Sequence, residues 1–482
     1  MTDREHPSTQ CRDYRICGRE IEGNPADGSC ILHSKDPAKD VRAFAEALAL
    51  HRERHGDNFT WFVFPEDADN FVMKRFHEGA DFTRATFTGD ISFFEARFRK
   101  TVCFSLAKFN KRAHFGGVRF FSDFLGFSGA TFSGGAHFGG AVFSGDVHFD
   151  GVTFSEGANF DGVTFSGSVN FVGATFSGRT LFSRQPGAAQ TGRIFAGTTV
   201  DFRQVVINPP DAITFLGADF TTCQFLDTDL RKAQLVDIKW PRKGRRLVVY
   251  DEILSVATRE RDRDGDRDGD MQSALQQFEQ MRREYRQGIE QLDREFRQND
   301  ETDSVATGDG DGDRDGDIQP WPQLERLYRE LKQNYEDRRD YERAGDFHYG
   351  EKEMRRKNPD TALGLRLFLT LYWLFSGYGE RYLRPLLWAG VLFVGATIGY
   401  MWYGLCPPAG GPKLACDGPK LALTSVWGWL QGAYYSFRVM TLLKPVDLVP
   451  VGCAHVINTF QTLLGPLFLG LFALALRQRL KR

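Results

Sequence analysis

Cysteine is sparse in this chain, and its charges nearly cancel. Eight cysteines in 482 residues, at Cys11, Cys17, Cys30, Cys103, Cys223, Cys406, Cys416 and Cys453, are too few for a disulfide-stapled secreted domain. A formal net charge of -2 supplies no overall sign with which to attract nucleic acid or a membrane surface, so no nucleic-acid partner is expected. Residues 2–15 are polar and charged without an apolar core segment, so no secretory signal peptide is expected there. Membrane insertion would then have to be driven from further along the chain. The sequence also lacks a phosphate-cradling glycine loop, a nucleophile–base arrangement and a carboxylate pair suited to a cleft, so an enzyme is not expected.

What the chain has in excess is 43 Phe and 50 Gly, a bias that usually means a repeat. From residue 80 onward Phe recurs with spacings alternating between five and six, a true period of eleven. After a one-residue slip near Phe127 the ladder runs through Phe138, Phe143, Phe149, Phe154, Phe160, Phe165, Phe171 and Phe176. Two residues before nearly every Phe stands a small or β-branched residue, such as Ala136, Val147, Ala158 or Val169. A helical period would scatter these rings around a circumference, and a plain strand would need strict alternation without the extra residue. A solenoid fits: Phe and the small residue point inward, and polar residues make each corner.

The segment resembles the pentapeptide-repeat family: Ala80-Asp81-Phe82 and Ala158-Asn159-Phe160 match its A-[DN]-[LF] core. The pattern weakens over 184–212 and recovers at Ala218-Asp219-Phe220 and Thr228-Asp229-Leu230. That resemblance implies a right-handed quadrilateral β-helix over residues 80–240, with roughly seven coils rising about 4.8 Å each, on the order of 35 Å long. Such a rod has no pocket, so its function would sit on faces or ends. Residues 80–200 hold eleven Lys and Arg against eight Asp and Glu, the basic ones clustering at Arg97, Arg99, Lys100, Lys108, Lys111, Arg112 and Arg119. A solvated scaffold face is the plain reading; contact with anionic headgroups or another acidic partner is the functional one. His114, His137 and His148 are expected to face outward rather than to bind metal.

At the N-terminus, residues 1–38 hold Cys11, Cys17, Cys30 and His33. Three thiolates and an imidazole suit a structural tetrahedral zinc, closed by Cys-x-x-His; reduced, unliganded thiols are the alternative. Residues 39–79 are expected to form a helical cap. Residues 241–320 read as a helical segment with Asp/Gly/Arg-rich linkers, and 321–358 as a helical hairpin.

The C-terminal part changes character. Residues 383–405 and 456–476 are apolar and long enough to span a bilayer, the second despite Asn458 and Gln461. Residues 360–380 are too short and are expected to lie in the interface. Arg381 and Arg384 before the first span and Arg477, Arg479, Lys481 and Arg482 after the second put both termini and the repeat on the cytoplasmic side of a multi-pass plasma-membrane protein. Residues 425–450 have the layout of a re-entrant loop. Within 381–482 the chain resembles the two-helix potassium-channel pore domain, through Tyr434-Tyr435-Ser436-Phe437 and through Asp447-Leu448-Val449-Pro450. That resemblance implies a homo-tetramer with a pore lined at Thr441, Leu442, Leu443, Lys444, Pro445, Val446 and Asp447. Where the family has Thr-Val-Gly-Tyr-Gly, however, this chain has Leu442, Leu443, Lys444, Pro445 and Val446. Pro445 fixes φ, and four copies of Lys444 would repel cations, so potassium selectivity is not expected. Cys406 and Cys416 flank the outer loop and are candidates for a disulfide.

The expected whole is a mixed fold: a β-helix, then cytoplasmic helices, then a two-span helical membrane domain. Its expected partners are the lipid bilayer, further copies of itself and a cytoplasmic protein. Two function classes stay open, a channel-like protein and a membrane-tethered scaffold that does not conduct.

Overall fold

The computed structural model describes residues 29–36, 38–68, 70–184, 192–264, 320–406, 425–443 and 448–480. The chain forms two units, Met1–Asp251 with Trp321–Arg482, and Glu252–Pro320. Its helices are α1 (Val41–His55), α2 (Tyr250–Asp264), α3 (Trp321–Asp337), α4 (Tyr341–Lys357), α5 (Leu363–Ser376), α6 (Leu383–Tyr403), α7 (Val426–Met440) and α8 (Ala454–Leu480).

Between α1 and α2 the chain winds into a β-solenoid of about eight turns whose short strands stack into four parallel sheets, three of seven strands and one of five. The eleven-residue period becomes a 22-residue coil, with Ala136 paired to Ala158 and Val147 to Val169. Pairs that straddle the slip seen in the sequence are spaced one residue further, such as Ala113 with Ala136 and Lys108 with Thr131, and a three-residue strand, Phe124–Gly126, lies between them. Each coil stacks its rings on those of the next. One column runs Phe59, Phe82, Phe104, Phe127, Phe149, Phe171, Phe202 and Phe225. Phe138 lies 5.0 Å above Phe160 with planes 1° apart, while it meets Phe149 of the next column edge-on at 5.7 Å and 82°. Stacking along the axis and T-shaped packing across it satisfy the ring quadrupole in both directions, worth about 0.5–1.5 kcal/mol per pair beyond burial.

The corners follow the same period. The residue two after Phe82, Phe93, Phe104, Phe115, Phe138 and Phe149 has positive φ: Arg84, Glu95, Leu106, Gly117, Gly140 and Gly151. Glycine takes that conformation at little steric cost, whereas Arg84, Glu95 and Leu106 hold it against strain because the stacked coils leave no alternative. The solenoid also begins before residue 80. The strand Val63–Phe64 pairs with Thr86–Phe87, and Phe59, Phe71 and Phe76 already sit in the ring columns. Thus α1 caps the first coil, with Phe44 edge-on to Phe64 at 5.5 Å and His51 Nε2 2.7 Å from the Asn58 carbonyl oxygen.

Candidate membrane module and its coupling to the solenoid

The last coil ends on a surface of backbone carbonyls and open rings, which the hairpin of α3 and α4 covers. Asn334 Nδ2 donates to the carbonyls of Leu230, Arg231 and Ala233 at 2.7, 3.1 and 2.8 Å, and Arg338 donates to those of Ala233 and Leu235. The Phe columns finish on Trp240, which lies edge-on to Phe220 at 5.1 Å and to Phe347 of α4 at 5.3 Å, and donates to Tyr335 Oη at 2.8 Å. An exposed strand edge invites pairing with other chains, and this cap removes it.

Two carboxyls at the cap are strongly perturbed, in opposite directions. Asp251 accepts from the Phe225 and Leu226 backbone N–H groups; burial pushes its carboxyl up to about 7 despite those bonds. Burial also pushes Glu351 up, but His348, Lys352 and Lys332 outweigh it and hold the carboxyl at about 2. His348 Nδ1 lies 3.7 Å from Glu351 Oε2, an ion-pair rather than a hydrogen-bond distance.

From the cap, polar ties lead into the apolar helices. Trp373 of α5 donates from Nε1 to Tyr349 Oη at 2.7 Å, and Tyr378 Oη donates to Glu353 Oε2 at 3.0 Å. The Arg356 guanidinium lies over the Trp373 ring at 5.2 Å, and Arg384, at the start of α6, donates to the Trp373 carbonyl at 2.8 Å. Solenoid, hairpin, α5 and α6 are therefore joined by directional contacts rather than by a bare linker.

The helix α6 and residues Ala454–Arg477 of α8 are long and apolar enough to cross a membrane, and only 28% and 22% of these stretches is buried inside the fold. A soluble core helix would be mostly covered; here Leu387, Val391, Val394, Ile398 and Trp402 line one exposed face of α6. The two helices approach closely. A Cβ on Gly399 would stand 2.5 Å from Ile457 Cδ1, and one on Gly465 would stand 2.8 Å from Met440 Cγ, so small residues set these crossings.

Wedged against both is α7. Gln461 of α8 donates from Nε2 to Ser436 Oγ at 2.6 Å and to the Ser436 carbonyl at 3.1 Å, while its Oε1 accepts from Tyr400 Oη of α6 at 2.8 Å. Tyr435 Oη lies 3.3 Å from Asn458 Oδ1. Gln461 and Ser436 are wholly buried. The opposite side of α7 is apolar and exposed, with Trp427, Leu430, Tyr434 and Phe437 three and four residues apart. Below it, Leu405–Cys406 pairs antiparallel with Val449–Pro450.

Residues 104–153 and 138–184 match the family model for pentapeptide repeats (9 copies). The solenoid is a pentapeptide-repeat solenoid. The match lies within the stacked coils and does not reach α6–α8, and neither a curated protein nor a solved structure matches the chain.

All eight Phe read as the core of the pentapeptide-repeat solenoid, Phe138, Phe143, Phe149, Phe154, Phe160, Phe165, Phe171 and Phe176, are buried. Cys30 and His33 come together, Sγ 3.3 Å from Nδ1 and both buried, whereas Cys11 and Cys17 lie outside the described residues. Among the described residues no three His, Cys, Asp or Glu are grouped to hold a metal. Of the proposed pore residues, Thr441 caps the C-terminus of α7 and Leu442 and Leu443 are exposed; Lys444, Pro445, Val446 and Asp447 lie outside the described residues. Cys406 lies in its short strand, and Cys416 is outside the described residues. Cys453 is exposed. The His114 and His137 rings are half-buried and stack at 4.8 Å along one solenoid face. Sequence reasoning missed Gln461 as a functional residue; a lone glutamine inside an apolar span was the available signal.

Proposed function

We propose that this protein is a membrane-anchored pentapeptide-repeat solenoid whose C-terminal helices form a pore-like module that self-assembles in the plasma membrane. The observation that carries this is α7, fifteen residues and about 22 Å long, held between two span-length helices by Gln461. A helix too short to cross a hydrocarbon core of about 30 Å belongs at membrane depth only where protein or a water-filled cavity receives its ends. Its exposed row of Trp427, Leu430, Tyr434 and Phe437 suits another copy of the module, and a tetramer follows from the pore-domain resemblance. Basic residues at Arg381, Arg384 and Arg477 favour a cytoplasmic solenoid with both termini on that side. In this reading Lys444 and Pro445 replace a carbonyl-lined filter, so conduction, where present, is not potassium-selective. The Cys30–His33 pair supports a structural zinc clip completed by Cys11 and Cys17, with no catalytic role.

The replaced filter also favours a second reading, in which the module only anchors and clusters the solenoid around a cytoplasmic partner. Planar-bilayer recording of the purified oligomer under ion substitution separates the two. Single-channel currents abolished or re-selected by Lys444→Gly support the pore. A verified oligomer silent at all voltages and salts leaves the scaffold.

A further inference from the structure

Several basic residues on the pentapeptide-repeat solenoid are matched by carboxylates. Lys100 pairs with Glu78, Lys111 with Glu66, Arg112 with Asp90, Arg203 with Asp201 and Arg231 with Asp229. On one face a row of arginines has no such match among the described residues. On the five-stranded sheet Arg75, Arg97 and Arg119 stand in register on three successive coils, all exposed. Like charges directly opposite one another across strands are destabilising, and no ion pair offsets these three among the described residues.

The neighbouring rows make the ladder a patch. Two residues on, His77, Arg99 and Phe121 form a second exposed row, in register through the bonds from Arg99 N to the Phe76 carbonyl and from Phe121 N to the Phe98 carbonyl. On the other flank Val72 and Phe94 are exposed, and Phe94 lies over Gly116. Residues 72–78, 94–100 and 116–122 together carry six Lys and Arg against two Glu, and Glu78 is taken by Lys100. On the same sheet the next two coils place Val142 and Thr164 at the arginine position, so the charge is confined to the first coils.

We infer that this face docks an acidic α-helix of a partner protein. Rungs about 4.8 Å apart place the three arginines within about 9.6 Å, which Glu or Asp at i, i+4 and i+7 on one face of a helix nearly match at about 10.5 Å, whereas three alternate residues of an extended strand span about 13.6 Å. Arginine beside exposed aromatic rings, here Phe94 at 43% and Phe121 at 48% exposure, is the composition of protein-binding surfaces. Lipid headgroups fit less well, because the patch is at the α1 end of the solenoid and the hairpin leading to α5 and α6 covers the other end.

The test uses the full chain in neutral-lipid nanodiscs and a labelled, stapled helical peptide with Glu at i, i+4 and i+7 flanked by Leu, read by fluorescence anisotropy. The Glu peptide is expected to bind at least about ten-fold more tightly than its Gln counterpart, and more weakly as salt rises. The R75A/R97A/R119A variant loses that preference with a melting temperature unchanged or raised, as relief of like-charge repulsion requires, while K111A/R112A, at a different face, keeps it. An R75E/R97E/R119E variant that gains preference for a Lys peptide shows that the loss is electrostatic and not misfolding. Equal binding of Glu and Gln peptides, no binding at all, or stronger recruitment of anionic-lipid vesicles than of the peptide would overturn the inference.

Discussion

The solenoid and the membrane module solve the same problem with opposite resources. In the solenoid one contact rule is repeated about eight times: each ring lies on the ring of the neighbouring coil, and each strand bonds the next. Its stability is spread over many equivalent contacts. In the module the outward faces of α6 and α8 are left apolar and open, and α7 is tied mainly by one glutamine. One region is a column held by water exclusion; in the proposed reading the other is completed by lipid or further copies.

That contrast is broken most forcefully by Phe149→Ala. It removes a ring stacked at 5.0 Å on both neighbours and should cost about 3–5 kcal/mol in thermal or denaturant unfolding, whereas Leu387→Ala, on the exposed face of α6, should move the same transition by less than about 0.5 kcal/mol. Equal effects would mean that the two regions share one core. Next in size is Gly157→Val. The Gly157 backbone has φ of 107°, and a Cβ there would stand 2.2 Å from the Arg179 carbonyl oxygen, so a loss of about 2–4 kcal/mol is expected, checked by the same unfolding curve.

A smaller effect is expected in the module. Gln461→Leu removes the bridge between Ser436 and Tyr400 and should weaken the packing of α7 against α6 and α8 by about 1–2 kcal/mol, read as a shift in the detergent-induced unfolding of these helices, with the solenoid transition unmoved.

The remaining effects concern the cap and depend on pH. Glu351, held at about 2 against an ordinary 4.5, contributes stability present above pH 4.5 and lost as pH falls through about 2. Asp251, raised to about 7 from 3.8, behaves oppositely: its contribution is complete below pH 3.8 and is lost as pH rises through about 7. Unfolding measured from pH 2 to 8 should therefore flatten at the acid end for Glu351→Gln and near neutrality for Asp251→Asn.

The difference between the two regions also governs what the sequence discloses. Phe at every fifth or sixth residue announces the column because each ring repeats the same environment. Phe59, Phe71 and Phe76 belong to it too, but they lack the small residue two positions earlier, which hid the first coils. Arg84, Glu95 and Leu106 occupy glycine-type corners that only the stacked backbone reveals. That Asn334 and Arg338 seal the last coil depends on contacts about a hundred residues apart in sequence, which no local pattern encodes. In the module, length and apolarity mark the spans, while Gln461 looks like a blemish in one of them until Ser436 and Tyr400 are seen beside it.

Sidedness tests the central claim, that this column is anchored by two membrane-crossing helices, most directly. On a cysteine-free background, Trp402→Cys at the end of α6 and Leu363→Cys at the start of α5 are each exposed to a membrane-impermeant maleimide, in intact cells and in inside-out vesicles. With both helices crossing, position 402 is labelled only from outside and position 363 only from inside. Labelling of both from the same side would contradict that crossing.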